Sequence, residues 1–334
     1  MKILITGGAG FVGSRLARTL LQRGTLVGRT IAQVVLADQA PARPELLADA
    51  RVSARVGPLL AQCEALRDEA FDAVFHLASA VSGECEADFE LGLRSNLDST
   101  RALLDALRFR SERGATPTRL VFSSSVAVFG PDPAVPLPAI VGDTTLPAPQ
   151  TSYGAQKLIC EHLVADYTRK GYIDGRAARL MTVTVRPGRP NGAASSFFSG
   201  IIREPLAGEE AILPVSPDVS HPVSSPQRTV EGLIAVFEAS REAFNGRTAL
   251  NLPALNVTVQ QMLDALEKVA GPVVRARVRA QRDERIAGIV ANWPKGASAT
   301  RAAALGLQPE ANFEDIIRQY IADNTGTPAL KGLA

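Results

Sequence analysis

Tyr153 and Lys157 stand four residues apart in the run Tyr-Gly-Ala-Gln-Lys, a spacing that puts two side chains on one face of a helix. A phenol titrates near ~10 and is a poor base at neutral pH. A neighbouring ammonium favours the phenolate and lowers that value. Ser125 lies in Phe122-Ser123-Ser124-Ser125-Val126, at the end of an apolar run, and its hydroxyl suits a hydrogen bond to a reacting oxygen. Ser125, Tyr153 and Lys157 together predict removal of a proton from an alcohol, with Tyr153 as the base. Oxidation of that alcohol also needs a hydride acceptor.

The N-terminus offers a place for one. Ile3, Leu4 and Ile5 form a short apolar run, and Gly7-Gly8-Ala9-Gly10-Phe11-Val12-Gly13 follows at once. Leu16, Leu20 and Leu21 then mark one face of a helix. Strand, glycine turn and helix are the context of a dinucleotide fingerprint. Glycines permit the sharp turn, the approach of backbone to a pyrophosphate and the close packing of helix on strand. The helix start adds free N–H groups and partial positive charge. A second apolar run, Gln33 to Ala37, ends in Asp38. An acid there accepts hydrogen bonds from an adenosine ribose and repels a 2′-phosphate, so NAD is expected rather than NADP. An oxidised nicotinamide is itself positive and pulls the Tyr153 pKa further down.

Other elements must hold these groups in place. Strands are expected at Val52–Val56, Phe71–His76, Arg119–Ser123 and Leu180–Arg186, with a short one at Ala249–Leu252. Helices are expected over Glu84–Arg108, from Thr151 or Ser152 to Lys170, and over Ser196–Leu206, Thr229–Ala239, Val259–Ala270 and Phe313–Ala322. Alternation of strand and helix predicts an α/β fold, a doubly wound parallel sheet of Rossmann type. Beyond Pro187 the alternation fails and Gly, Pro and Ser become dense. The expected division is a dinucleotide-binding domain at 1–190 and a smaller mixed α/β substrate lobe at 191–334, partly interleaved with the end of the sheet.

Composition narrows the partners. Lys+Arg 36 against Asp+Glu 34 gives a net charge of +2, too small for a nucleic-acid surface. No apolar run is long enough to span a membrane. Cys63, Cys85 and Cys160 lack metal or disulfide spacing, and His76, His162 and His221 are scattered, so reduced thiols, no metal and a cytoplasmic protein are expected. His76 ends an apolar run and reads as structural. Glu84, Glu86 and Asp88 read as the acidic first turn of a helix, and Trp293 and Tyr320 as packing.

These motifs carry a family resemblance. Thr6-Gly-Gly-Ala-Gly-Phe-Val-Gly13, Asp38, His76-Leu77-Ala78, Asn96, Ser123-Ser-Ser-Val-Ala-Val-Phe-Gly130, Tyr153-Gly-Ala-Gln-Lys157 and Arg186-Pro187 together resemble the extended short-chain dehydrogenases. That family includes nucleotide-sugar epimerases and dehydratases. The resemblance spans about residues 1–190 and implies the triad Ser125, Tyr153 and Lys157. It implies cofactor contacts at Gly7, Gly10, Phe11, Val12, Gly13, Asp38, Leu77, Ala78, Asn96, Ser125, Tyr153, Lys157 and Pro187. It also implies a homodimer, paired through helices near 89–107 and 153–168. The family's Gly-Asp after the third strand is here Gly57-Pro58, which removes an acid usually near the adenine.

The run from Arg186 to Glu210, with Ala80-Val-Ser-Gly-Glu84, resembles a narrower group that oxidises the 2-hydroxyl of a four-carbon sugar acid with NAD. On that reading Ser82, Ser125, Tyr153, Asn191, Ser195, Ser196 and Arg203 contact a small hydroxy acid. Ser195 or Ser196 would cap a helix whose start attracts the carboxylate. Arg203, Arg189 and Arg228 remain alternative charge partners. The competing readings are a nucleotide-sugar epimerase or dehydratase and a cofactor-sensing protein without turnover.

Overall fold

In the computed structural model, which describes residues 1–188 and 193–325, apolar runs become central strands. β1 (Lys2–Thr6) alternates its side chains between two helical layers. Ile3 and Ile5 join Leu16 and Leu20 of α1 (Phe11–Arg23) on one face, while Leu4 packs on the other. β2 (Gln33–Asp38) and β3 (Val52–Val56) follow, then α2 (Leu59–Leu66) and β4 (Ala73–His76).

The helix expected over Glu84–Arg108 is instead broken. α3 (Ser82–Ala87) stops at Asp88, which is extended (φ −140°, ψ 98°), and α4 (Phe89–Gly92) begins there. The Asp88 carboxylate accepts from Leu91 N at 2.9 Å, so a capping side chain wins over helix continuation. A π-helical turn, Leu93–Asp98, leads into α5 (Ser99–Ser111). β5 (Thr118–Ser125) and α6 (Ser152–Arg169) come next, with Thr151 Oγ1 accepting from Gly154 N at 3.0 Å as the cap of α6.

The sixth strand also lies elsewhere than expected. β6 is Ile173–Leu180, paired with β5 from Thr118↔Ile173 to Ser125↔Leu180. Residues 182–183 form β7 of a separate sheet. Arg176 and Arg179 disguise β6 in the sequence. Both are buried, Arg176 paired with Asp174 at 2.9 Å and Arg179 with Glu161 at 2.7 Å.

Past Pro187 the chain builds α7 (Ser196–Leu206), β8 (Ser220–Ser224), α8 (Pro226–Glu238), β9 (Leu250–Asn251), β10 (Leu255–Thr258), α9 (Val259–Ala270), α10 (Glu284–Val290) and α11 (Phe313–Asp323). The main sheet has the order β9-β6-β5-β4-β1-β2-β3 and is parallel throughout. α8 packs on it beside α1, through Val230, Leu233 and Phe237. α2, α5 and α6 cover the opposite face. α7, α9 and α11 share a second core with Val223 and Val257, and β7, β8 and β10 form a three-stranded sheet.

Candidate active site

The C-terminal ends of β1, β2, β4, β5 and β6 open into one cleft of about 1510 Å³, closed on the far side by Ala193–Ser195, His221 and Trp293. That volume exceeds the range usual for one small ligand, so a dinucleotide and a second molecule have room together. Gly7, Gly10, Phe11, Val12, Gly13, Asp38, Leu77, Ala78, Ser82, Ser125, Tyr153, Lys157 and Ser195 all line it.

The glycine turn is shaped by contact. Gly7 has φ +72°, and a Cβ on Gly13 would lie 2.1 Å from the Gly7 carbonyl oxygen. Only the absence of that Cβ lets α1 start against the end of β1. No side chain caps the helix, which leaves the first-turn N–H groups available to an anion. Asp38 braces the turn, accepting from Ala9 N at 2.9 Å and Ala40 N at 3.1 Å. These features fit a dinucleotide, with its pyrophosphate at the turn and a ribose at Asp38.

α6 presents Tyr153 and Lys157 to the end of β5. Lys157 is buried and donates to the Ser123 carbonyl at 2.8 Å, with its ammonium 5.5 Å from the Tyr153 ring centroid. Burial lowers its pKa to about 8, opposed by the nearby Cys160, Cys85 and Glu161. Burial raises the Tyr153 pKa, while a hydrogen bond from Ser125 and the charge of Arg186 lower it. Ser125 Oγ in turn accepts from Ala127 N at 3.1 Å. Arg186 thus joins Lys157 as a cation beside the phenol.

Four of the expected contacts do not reach the cleft. Asn96 is buried behind its wall, accepting from Ala80 N at 2.7 Å and Ser79 Oγ at 3.0 Å and donating to Gln156 Oε1 at 2.8 Å. It holds the loop after β4. Pro187 faces a small groove between α1 and α11. Arg203 is buried, donating to the Arg186 carbonyl at 2.9 Å and to Glu204 at 2.6 Å. Ser196 starts α7 outside the lining residues. Ser195 sits at the N-cap position without capping, because its hydroxyl accepts from Arg186 Nη2 at 3.0 Å. Asn191 and Arg189 lie outside the described residues.

Other titratable groups near the cleft have local duties. His76 bonds Thr6 Oγ1 at 2.6 Å and Thr100 Oγ1 at 2.8 Å, and burial lowers its pKa to about 3. Glu84 accepts from Val81 N and Glu86 from Ser152 N, so both brace helix starts. Among the described residues no cluster of His, Cys, Asp or Glu is arranged to hold a metal ion, and no helix is long and apolar enough to cross a membrane.

Arg186, His221 and Trp293 line the cleft and were not expected there. In the sequence Arg186-Pro187 is visible only as a motif, and Trp293 reads as packing. It does pack, 5.2 Å from the His221 ring, but at the cleft wall. A lone tryptophan on an irregular segment carries no spacing signal.

A parallel sheet with a glycine turn and acid on one side of its cleft and a tyrosine–lysine pair on the other defines a dinucleotide-dependent enzyme. The chain belongs to the NAD dependent epimerase/dehydratase family, which it matches over residues 3–224. It is 48% identical over 329 residues to a D-erythronate dehydrogenase from Cupriavidus necator, covering 97% of this chain and 98% of that one. A D-erythronate dehydrogenase from Haemophilus influenzae is 40% identical over 322 residues, covering 96% and 99%. A crystal structure described as a nucleoside-diphosphate-sugar epimerase from Agrobacterium tumefaciens superposes with TM-score 0.91 at 42% identity, over 98% of this chain and 96% of that one.

Proposed function

We propose that the protein is an NAD-dependent dehydrogenase that oxidises the 2-hydroxyl of a small sugar acid, D-erythronate to 2-oxo-tetronate, with Tyr153 as the base. The observation that carries the reading is the convergence of Tyr153, Ser125 and Lys157 in the same cleft as the glycine turn and Asp38. Two relatives named for that activity, similar along nearly their whole length, support it.

NAD, when bound, supplies the hydride acceptor. Gly7, Gly10 and the α1 start through Phe11, Val12 and Gly13 would hold its pyrophosphate and Asp38 a ribose, with Leu77 and Ala78 lining the same cleft. Lys157 is near enough to Tyr153 to stabilise phenolate. Tyr153 phenolate takes the hydroxyl proton as the carbon gives up its hydride, leaving a carbonyl. Ser125 hydrogen-bonds the reacting oxygen, and Ser82 and Ser195 offer hydroxyls to a small polyol.

The name of the Agrobacterium structure favours a second reading, epimerisation of a nucleotide sugar. An epimerase shows no net NADH formation, whereas a dehydrogenase turns over free NAD. The deciding experiment follows NADH absorbance over four- to six-carbon aldonic acids, with UDP- and dTDP-sugars as competitors. NADH formation with D-erythronate is the expected result. Activity confined to nucleotide sugars overturns the proposal.

A further inference from the structure

We infer that Arg186 is the substrate's carboxylate partner and so selects 2-hydroxy acids over neutral alcohols, an assignment that rests on the dehydrogenase reading above. The argument is one of charge. Each arginine buried in the fold has a carboxylate: Arg176 has Asp174, Arg179 has Glu161 and Arg203 has Glu204. Half-buried arginines such as Arg277 and Arg301 make no ion pair among the described residues and are held by carbonyls, but they lie outside the cleft. Arg186, by contrast, is half-buried in the cleft wall and pairs with no carboxylate among the described residues. The undescribed stretch beside it, 189–192, contains neither Asp nor Glu.

Its guanidinium is held by neutral groups. Nε donates to the Val183 carbonyl at 2.9 Å and Nη2 to Ser195 Oγ at 3.0 Å. Its carbonyl accepts from Arg203, and the Arg203 charge adds repulsion. A cation removed from water without a counter-ion is costly. A ligand that brings the negative charge offsets that cost at the moment of binding, and a fixed planar fork matches a carboxylate.

Position selects which anion. Arg186 is close enough to act on the Tyr153 phenol, where the reacting hydroxyl must sit. In a 2-hydroxy acid the carboxylate is on the carbon next to the oxidised one. In a nucleotide sugar, the diphosphate is separated from the oxidised carbon by much of the sugar ring. The cation beside Tyr153 therefore suits the acid. Ser195 is then a positioning residue, because it orients Nη2 instead of capping α7.

The test compares D-erythronate with its uncharged amide in the wild type, Arg186→Met and Arg186→Lys. Arg186→Met should lower kcat/KM for the acid at least about 30-fold more than for the amide, because the amide loses only the pull of Arg186 on the Tyr153 phenol, whereas the acid also loses its charge partner. Arg186→Lys should fall between, keeping the charge without the fork. Binding of oxalate and oxamide to the NAD-loaded protein is measured in parallel by calorimetry, with NAD affinity as a control for folding. Oxalate should bind the wild type and not Arg186→Met. Equal losses for acid and amide, or unchanged oxalate binding, overturn the assignment. If oxalate binding follows Arg186 but no hydroxy acid is oxidised, the reaction reading fails and the carboxylate site stands.

Discussion

At the scale of single residues, the site is a contest over one proton. Burial keeps the Tyr153 phenol protonated, and the Ser125 hydroxyl and Arg186 charge oppose it. A base must be deprotonated to act, so whatever raises its pKa moves the activity limb to higher pH. Ser125→Ala removes the hydrogen bond that lowers the value, and its kcat–pH limb should shift alkaline. Tyr153→Phe removes the base and should cut kcat by roughly 10²- to 10⁴-fold, with NAD affinity and Tm little changed. Both are read from NADH formation across pH 6 to 10 and from calorimetric titration of NAD. A Tyr153→Phe enzyme of near-normal kcat would remove Tyr153 from the proposed role. Tyr153, Lys157 and Ser125 were legible in the sequence because their chemistry fixes their spacing. Arg186 was not, because its meaning depends on which carboxylates are absent around it, and no linear pattern reports an absence in space.

At the scale of elements, the legible strands were those whose buried faces are simply apolar. Ile3–Ile5 and Val34–Ala37 carry no charge and were placed correctly. β6 was misplaced because Arg176 and Arg179 are inside the fold, and a buried arginine looks like a surface residue until its partner is known. The expected long helix after Glu84 failed for a related reason, since Asp88 satisfies a helix start locally. The Arg179 site shows what such a strand requires. Glu161, on α6, accepts from Arg179 Nε at 2.8 Å and Nη2 at 2.7 Å and from Ser124 Oγ at 2.5 Å. It thereby ties α6 to the strands that carry Ser125 and Leu180. Removing one partner leaves the other charged and buried, so Glu161→Ala should cost about 3–5 kcal/mol in urea unfolding. Asp166→Ala, which breaks an exposed pair with Arg169 on the same helix, should cost less than about 1 kcal/mol. Equal costs would mean that the buried pair does not anchor α6.

At the scale of the whole molecule, two buried histidines couple both packed regions to pH. His76 joins β4 to β1 through Thr6 and to α5 through Thr100. His221 joins β8 to β7 through Thr182 at 2.7 Å and stacks on Phe198 with ring centroids 5.0 Å apart. Burial lowers His76 to about 3 and His221 to about 4, against about 6.5 in an unfolded chain. Between those values the unfolded state binds protons that the folded state refuses, so stability rises with pH and is lost as pH falls below about 6.5. Each histidine contributes a slope of up to about 1.4 kcal/mol per pH unit. The paired carboxylates Glu69, Asp72 and Asp174 are held below their usual range, so their losses begin only as pH falls through the ordinary carboxylate values near about 4 and overlap just the acid end of the histidine window. Over two pH units both histidines together contribute at most about 5–6 kcal/mol, the low end of the stability of an ordinary domain, about 5–15 kcal/mol. Urea midpoints should therefore fall steadily from pH 6.5 to 4.5. His221→Gln should lower stability at pH 7 yet roughly halve the pH slope, because one refused proton is gone. A slope unchanged by that substitution would place the acid sensitivity elsewhere. Because His221 and Trp293 share the cleft wall, retention of NAD binding down to pH 5.5 would show that the wall outlasts the first loss of global stability.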